Sequence, residues 1–206
     1  MYKIKVMGRY SKITNRLTHK ILTLFKNYHK IGRNDTWDMC SIKNGLLEFD
    51  VDISAAYGSD NYVVDGAADE GVNDDHTPTV FISFELPKNP DWQEVKCDLT
   101  DVIRHEIEHL TQSGKNLVEG KFIEDDQKLR WALANDLLPE HHYFLLPKEV
   151  DAMLQGLNAR RAVAKRSLSV EVDSYLRKVL DDSKLRQIVK QVWNYRCKAL
   201  SLPNII

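Results

Sequence analysis

The chain has 206 residues, 43% of them apolar, with only 9 glycines and 6 prolines, which is enough for one domain with a real core. Its 29 basic and 30 acidic residues leave a formal net charge of -1, which argues against nucleic acid as an obligatory partner because phosphate binding normally demands a basic excess. Cys40, Cys97 and Cys197 are odd in number and follow no CxxC spacing, so neither a disulfide framework nor a thiolate zinc knuckle is expected. No run approaches the roughly 18 apolar residues of a membrane span, and the start Met1-Tyr2-Lys3-Ile4-Lys5-Val6 has no apolar signal region.

Tyr2, Ile4 and Val6 alternate with lysines and predict a short first strand. Residues 12–30 change period: Ile13, Leu17, Ile21, Leu24, Phe25 and Tyr28 form a helical stripe beside a solvated basic face. Residues 46–53 read as a strand, with Leu47, Phe49, Val51 and Ile53 on one face and Glu48, Asp50 and Asp52 on the other, so one face of the sheet should be wet. Residues 65–76, with Asp65, Asp69, Glu70, Asp74 and Asp75, read as a flexible acidic surface loop, a second, calcium-like site being the alternative. Residues 79–86 alternate again and stop at Pro87. That strand is either an edge able to pair with an extended peptide or an internal strand paired on both sides.

A helix is then expected over residues 99–112, with Asp98 as N-cap, Asp101 in its first turn and Ser113-Gly114 as its stop. Inside it lies His105-Glu106-Ile107-Glu108-His109, the pattern HExxH. Residues four apart share one helix face, so two imidazoles can reach one metal ion while Glu106 sits beside the open coordination position. Val102, Ile103, Ile107 and Leu110 should face the core, Asp101, His105, Glu106 and His109 the site, and Glu108 the solvent. Asp101 is a candidate to fix an imidazole tautomer. Cys97 reads as a buried thiol rather than a ligand.

Downstream, a helix is expected near residues 124–135, and an ordered, partly buried loop at 136–147 carrying His141, His142 and Tyr143. The next helix begins at Pro147-Lys148-Glu149 and runs to about Arg166, with small residues Ala152, Gly156 and Ala159 in line with Glu149 so that a neighbouring helix can approach. Two amphipathic helices, divided at Asp181-Asp182-Ser183, should brace it.

A catalytic zinc site normally has three protein ligands and one open position. The candidates for the third are Glu119, Glu124, Glu140, His141, His142, Glu149 and Asp151, the last expected to face away from Glu149 along the helix. Glu149-Val150-Asp151-Ala152, a glutamate with alanine three residues on, together with the HExxH helix, resembles the gluzincin branch of the zincin metallopeptidases over roughly residues 79–156. It also resembles the short HExxH proteins of bacterial and phage genomes. The metzincin extension is missing, since Gln112 and Lys115 stand where its Gly and His belong.

The resemblance implies an α+β, zincin-like fold: a small twisted mixed sheet on the active-site helix and a mostly helical C-terminal part. It would be one domain over residues 1–206, with 1–114 a sheet lobe and 115–206 a helical lobe carrying the third ligand. It makes His105, His109 and Glu149 ligands of one zinc ion per chain and Glu106 the general base of peptide hydrolysis. Tyr143 or His142 is the candidate second donor to the oxyanion. The expected partner is a protein or peptide, without membrane or nucleic acid, in the cytoplasm, or in a host cytoplasm or virion for a phage product. The competing expectation is a zincin-shaped binding or virion-structural module without catalysis.

Overall fold

A computed structural model describes residues 2–33, 35–43, 47–58, 60–69, 77–112, 114–118 and 124–206, with the side chains of 2–9, 35, 36, 115, 124 and 125 outside the description. The architecture is α+β. Helix α1 (Tyr2–Lys30) precedes strands β1 (Asp35–Lys43), β2 (Glu48–Tyr57), β3 (Val63–Asp69) and β4 (Thr79–Leu86). Helices α2 (Trp92–Leu110), α3 (Glu124–Ala134), α4 (Pro147–Ala164), α5 (Leu168–Val179) and α6 (Ser183–Ala199) follow, with a short 3₁₀ turn at Glu140–Leu145.

The four strands form one mixed sheet in the order β1-β2-β4-β3, antiparallel except for the parallel β2/β4 pair. Alternation decides its faces. Phe49, Val51, Ile53, Val80, Ile82, Phe84 and Leu86 are buried beneath α1 and α2, joined by Leu17, Ile21, Phe25, Leu99, Ile103 and Ile107. The opposite face is open, and leaves Trp37, Met39 and Phe81 exposed. A second core gathers Val150, Leu154 and Leu157 of α4 with Val172 and Leu176 of α5 and Val189 and Trp193 of α6. Helices α2 and α4 join the two, and they pack closely: a Cβ at Gly156 would overlap the Asp101 carboxylate and stand 2.9 Å from the Asp101 carbonyl oxygen.

Several sequence expectations change here. The first strand at Tyr2–Val6 is instead the start of α1. Three alternating residues fit either period, and extending a nucleated helix costs less than an isolated strand without a partner. The motif helix begins not after Asp98 but after Asp91, whose side chain accepts from Gln93 N at 2.9 Å and Glu94 N at 3.3 Å. Asp91 followed three residues on by Glu94 is itself a start signal. Asp98 pairs with Arg160, and accepts a 2.5 Å hydrogen bond from Tyr62. Glu108 is buried, not solvent-facing, because Arg104 one turn earlier donates to it at 2.7 Å.

The largest change is that residues 63–69 form a strand, and of the two readings of residues 79–86 the internal one holds. Strand β4 is internal, paired with β2 and β3. The end strands of the sheet are β1 and β3, and β3 lies in the stretch read as an acidic loop; Glu70, Asp74 and Asp75 of that expectation lie outside the described residues. Its sequence, Val-Val-Asp-Gly-Ala-Ala-Asp, lacks large apolar residues because it crosses α2 at close range. At Gly66 a Cβ would overlap Val102 Cγ1 and come within 3.1 Å of Glu106 Cγ. Gly66→Ala should therefore lower stability by about 1–3 kcal/mol through overpacking. Thermal melting followed by circular dichroism tests this; an unchanged or raised midpoint would show that α2 yields freely.

Candidate metal centre

Helix α2 carries His105 and His109 one turn apart, and α4 brings Glu149 against them from its first turn. The Nε2 atoms of His105 and His109 are 3.0 Å apart, and Glu149 Oε2 lies 3.6 Å from the first and 3.5 Å from the second. A tetrahedral ion with bonds of about 2.0–2.1 Å holds its ligand atoms roughly 3.3–3.4 Å apart, so these three atoms form one face of such a polyhedron. Two imidazoles and one carboxylate also make a donor set that suits zinc. Among the described residues these are the side chains grouped closely enough to share an ion.

Hydrogen bonds around the triangle orient His109 and Glu149. Gln112 is buried, and its amide nitrogen donates to the Lys148 carbonyl at 3.2 Å. Its Oε1 is therefore the atom facing His109 Nδ1 at 3.1 Å, so Nδ1 carries the proton and the Nε2 lone pair points into the triangle. Glu149 is held at both oxygens. Tyr143 donates to Oε2 at 2.7 Å and Arg130 Nη2 donates to Oε1 at 2.6 Å. Arg130 also pairs through Nε with the fully buried Asp126, whose Oδ1 accepts from the Lys148 backbone nitrogen in the first turn of α4 at 3.0 Å.

Electrostatics follow from this packing. Burial alone would raise the Glu149 pKa, but the two histidines and Tyr143 outweigh it and hold the carboxylate far below its ordinary range. Burial opposes protonation of His109, yet Glu149 and Glu106 overcome it and lift its pKa above 6.5. Glu106 is raised, chiefly by burial, with the histidines pulling the other way. Burial pushes Asp101 up to about 7 against the pull of His105 and Arg160. Asp101 makes no hydrogen bond to His105 among the described contacts, so the expected tautomer-fixing role falls to Gln112, on the other imidazole.

The remaining candidates separate cleanly. Asp151 faces away and forms a bidentate pair with Arg196 at 2.5 and 2.7 Å. His141 and His142 stack on each other outside the cleft, with His142 Nδ1 3.2 Å from the Pro139 carbonyl. Glu140 is exposed, and Glu119 and the Glu124 side chain lie outside the described residues. Cys97 is a free, buried thiol off the cleft. Tyr143, which a hydrophobic loop could have packed away, instead lies over Glu149.

The triangle opens into a cleft of about 820 Å³ bordered by β3 on one side and by Gln127, Arg130 and Tyr143 on the other. Glu106 lines it beside the triangle, its side chain under Gly66 of β3. An acid, three inward-facing donors and an end strand of the sheet thus share one opening. No helix of the described residues is long and apolar enough to cross a membrane. Comparison with protein families, curated proteins and solved structures finds no match to this chain.

Proposed function

We propose that the chain is a zinc-dependent peptidase of the gluzincin type, with a zincin-like arrangement of sheet, motif helix and third-ligand helix. The observation that carries this reading is the triangle of His105 Nε2, His109 Nε2 and Glu149 Oε2, drawn from two helices with edges of 3.0 to 3.6 Å, with the Glu106 carboxyl beside it. When bound there, zinc supplies Lewis acidity and a water acidified to a pKa of about 7.

The chain's own residues divide the remaining work. Glu106 accepts the proton released by the attacking water at its carboxylate and delivers it to the leaving amine. Its burial favours the protonated intermediate state of that shuttle. Gln112 keeps the His109 lone pair aimed inward. Tyr143, whose hydroxyl lies beside Glu149 Oε2 in the cleft, is the donor to a developing oxyanion. The outer side of β3, which pairs with no second strand among the described residues, offers main-chain donors and acceptors to an extended peptide, which selects backbone more than side chains.

The test is digestion of an unbiased peptide library by zinc-loaded protein, read by mass spectrometry. Cleavage that stops on chelation and returns with zinc supports the reading. Stoichiometric zinc without any cleavage would favour the non-catalytic binding module instead.

A further inference from the structure

Resting on the metal site just proposed, we infer that Arg130 is a positioning residue that restricts Glu149 to a single coordinating oxygen. The two oxygens of that carboxylate have different neighbours. Oε2 faces both imidazoles, while Oε1 is turned to the Arg130 guanidinium at 2.6 Å. A glutamate that chelated an ion through both oxygens would have to bring Oε1 round and give up this charge-assisted hydrogen bond inside a site where Glu149 is 3% exposed.

The guanidinium cannot simply follow the carboxylate. Its Nε is tied to Asp126, and Asp126 is tied to the Lys148 backbone nitrogen, the residue next to Glu149. Arg130 is thus fixed to the same helix end as the ligand it restrains, and the planar fork spans both acids at once in a way a lysine ammonium cannot. A one-oxygen glutamate and two imidazoles leave the fourth tetrahedral position open to water and substrate. A two-oxygen glutamate would crowd it. Arg130 also places a positive charge beside the ion, so it acts against tight metal binding while keeping the open position free.

A role of this kind separates affinity from geometry, which a merely structural role would not. Cobalt(II) is the probe, because its visible absorption is intense in four-coordinate sites and weaker in five-coordinate ones. The cobalt-loaded wild type should give the intense spectrum. Arg130→Ala should weaken it several-fold while binding cobalt as tightly as wild type or tighter, with peptide turnover reduced roughly 10- to 100-fold where turnover is present. Arg130→Gln, nearer in size, takes its place should circular dichroism find the alanine variant unfolded. An unchanged spectrum in the variant, or cobalt affinity falling together with intensity, overturns the assignment, as does a wild type that binds no cobalt. A wild type with the intense spectrum but no hydrolysis of any peptide removes the peptidase reading and leaves the Arg130 assignment standing on the spectra.

Discussion

Glu106→Gln, loaded with zinc, should keep the metal at wild-type stoichiometry and lose peptide hydrolysis by about 10²–10⁴-fold, the usual contribution of a positioned proton acceptor. Glutamine matches glutamate in size, so the contact with Gly66 and the fit of β3 over α2 should survive. What it lacks is a carboxylate able to take a proton. Glu106 lies in the cleft but outside the metal triangle, which is why the substitution should divide chemistry from binding. Zinc content by elemental analysis, measured on the same samples as hydrolysis of a cleaved library peptide, checks both halves. Retained hydrolysis would remove Glu106 from the mechanism; loss of zinc would place it among the ligands.

Glu149→Ala should have the opposite signature, with metal lost first and activity following. Structural zinc sites bind with about 10–16 kcal/mol, so one ligand of four is worth roughly 3–4 kcal/mol, or a 10²–10³-fold weaker dissociation constant. The variant also removes the anion between His105, His109, Tyr143 and Arg130, leaving the guanidinium to Asp126 alone. Arg130 is partly exposed and can turn to water, so the fold should persist while the site opens. Competition with a chelating dye measures the affinity directly. A dissociation constant within a few-fold of wild type would mean that a different residue completes the site.

The three side chains of the triangle were legible in the sequence because a helix converts spacing into direction. His105 and His109 are four apart, and any helix through them puts both on one face. Glu149 was legible through its place at the head of a helix lined by Ala152 and Gly156, whose smallness lets α2 come close. Asp151 was correctly turned away by the same periodicity. Strand β3 was hidden for a related reason: the close approach that brings it to Glu106 requires Gly66 and its small neighbours, which erases the apolar alternation that marks a strand.

Arg130 was out of reach for another reason: it acts on Glu149 over 19 residues of chain, and nothing in its local pattern differs from an ordinary helix surface. Gln112 is only three residues from His109, but which of its amide atoms faces the imidazole depends on its bond to Lys148, 36 residues on. Tyr143 was legible as a cleft hydroxyl, but not as a partner of Glu149. Asp98 misled because an acid before an apolar run resembles a cap. Asp91, with Glu94 three residues on, carried the fuller signal, and the displaced Asp98 joins Glu94 and Glu171 around Arg160, a bracket linking α2, α4 and α5.

Anomalous diffraction at the zinc edge from crystals of the zinc-loaded protein addresses the metal centre itself. One peak per chain is expected at bonding distance from Nε2 of residue 105, Nε2 of residue 109 and a single carboxylate oxygen of residue 149, with a water completing the shell. A peak elsewhere, or a shell built without that carboxylate, would contradict the site on which the proposed chemistry depends.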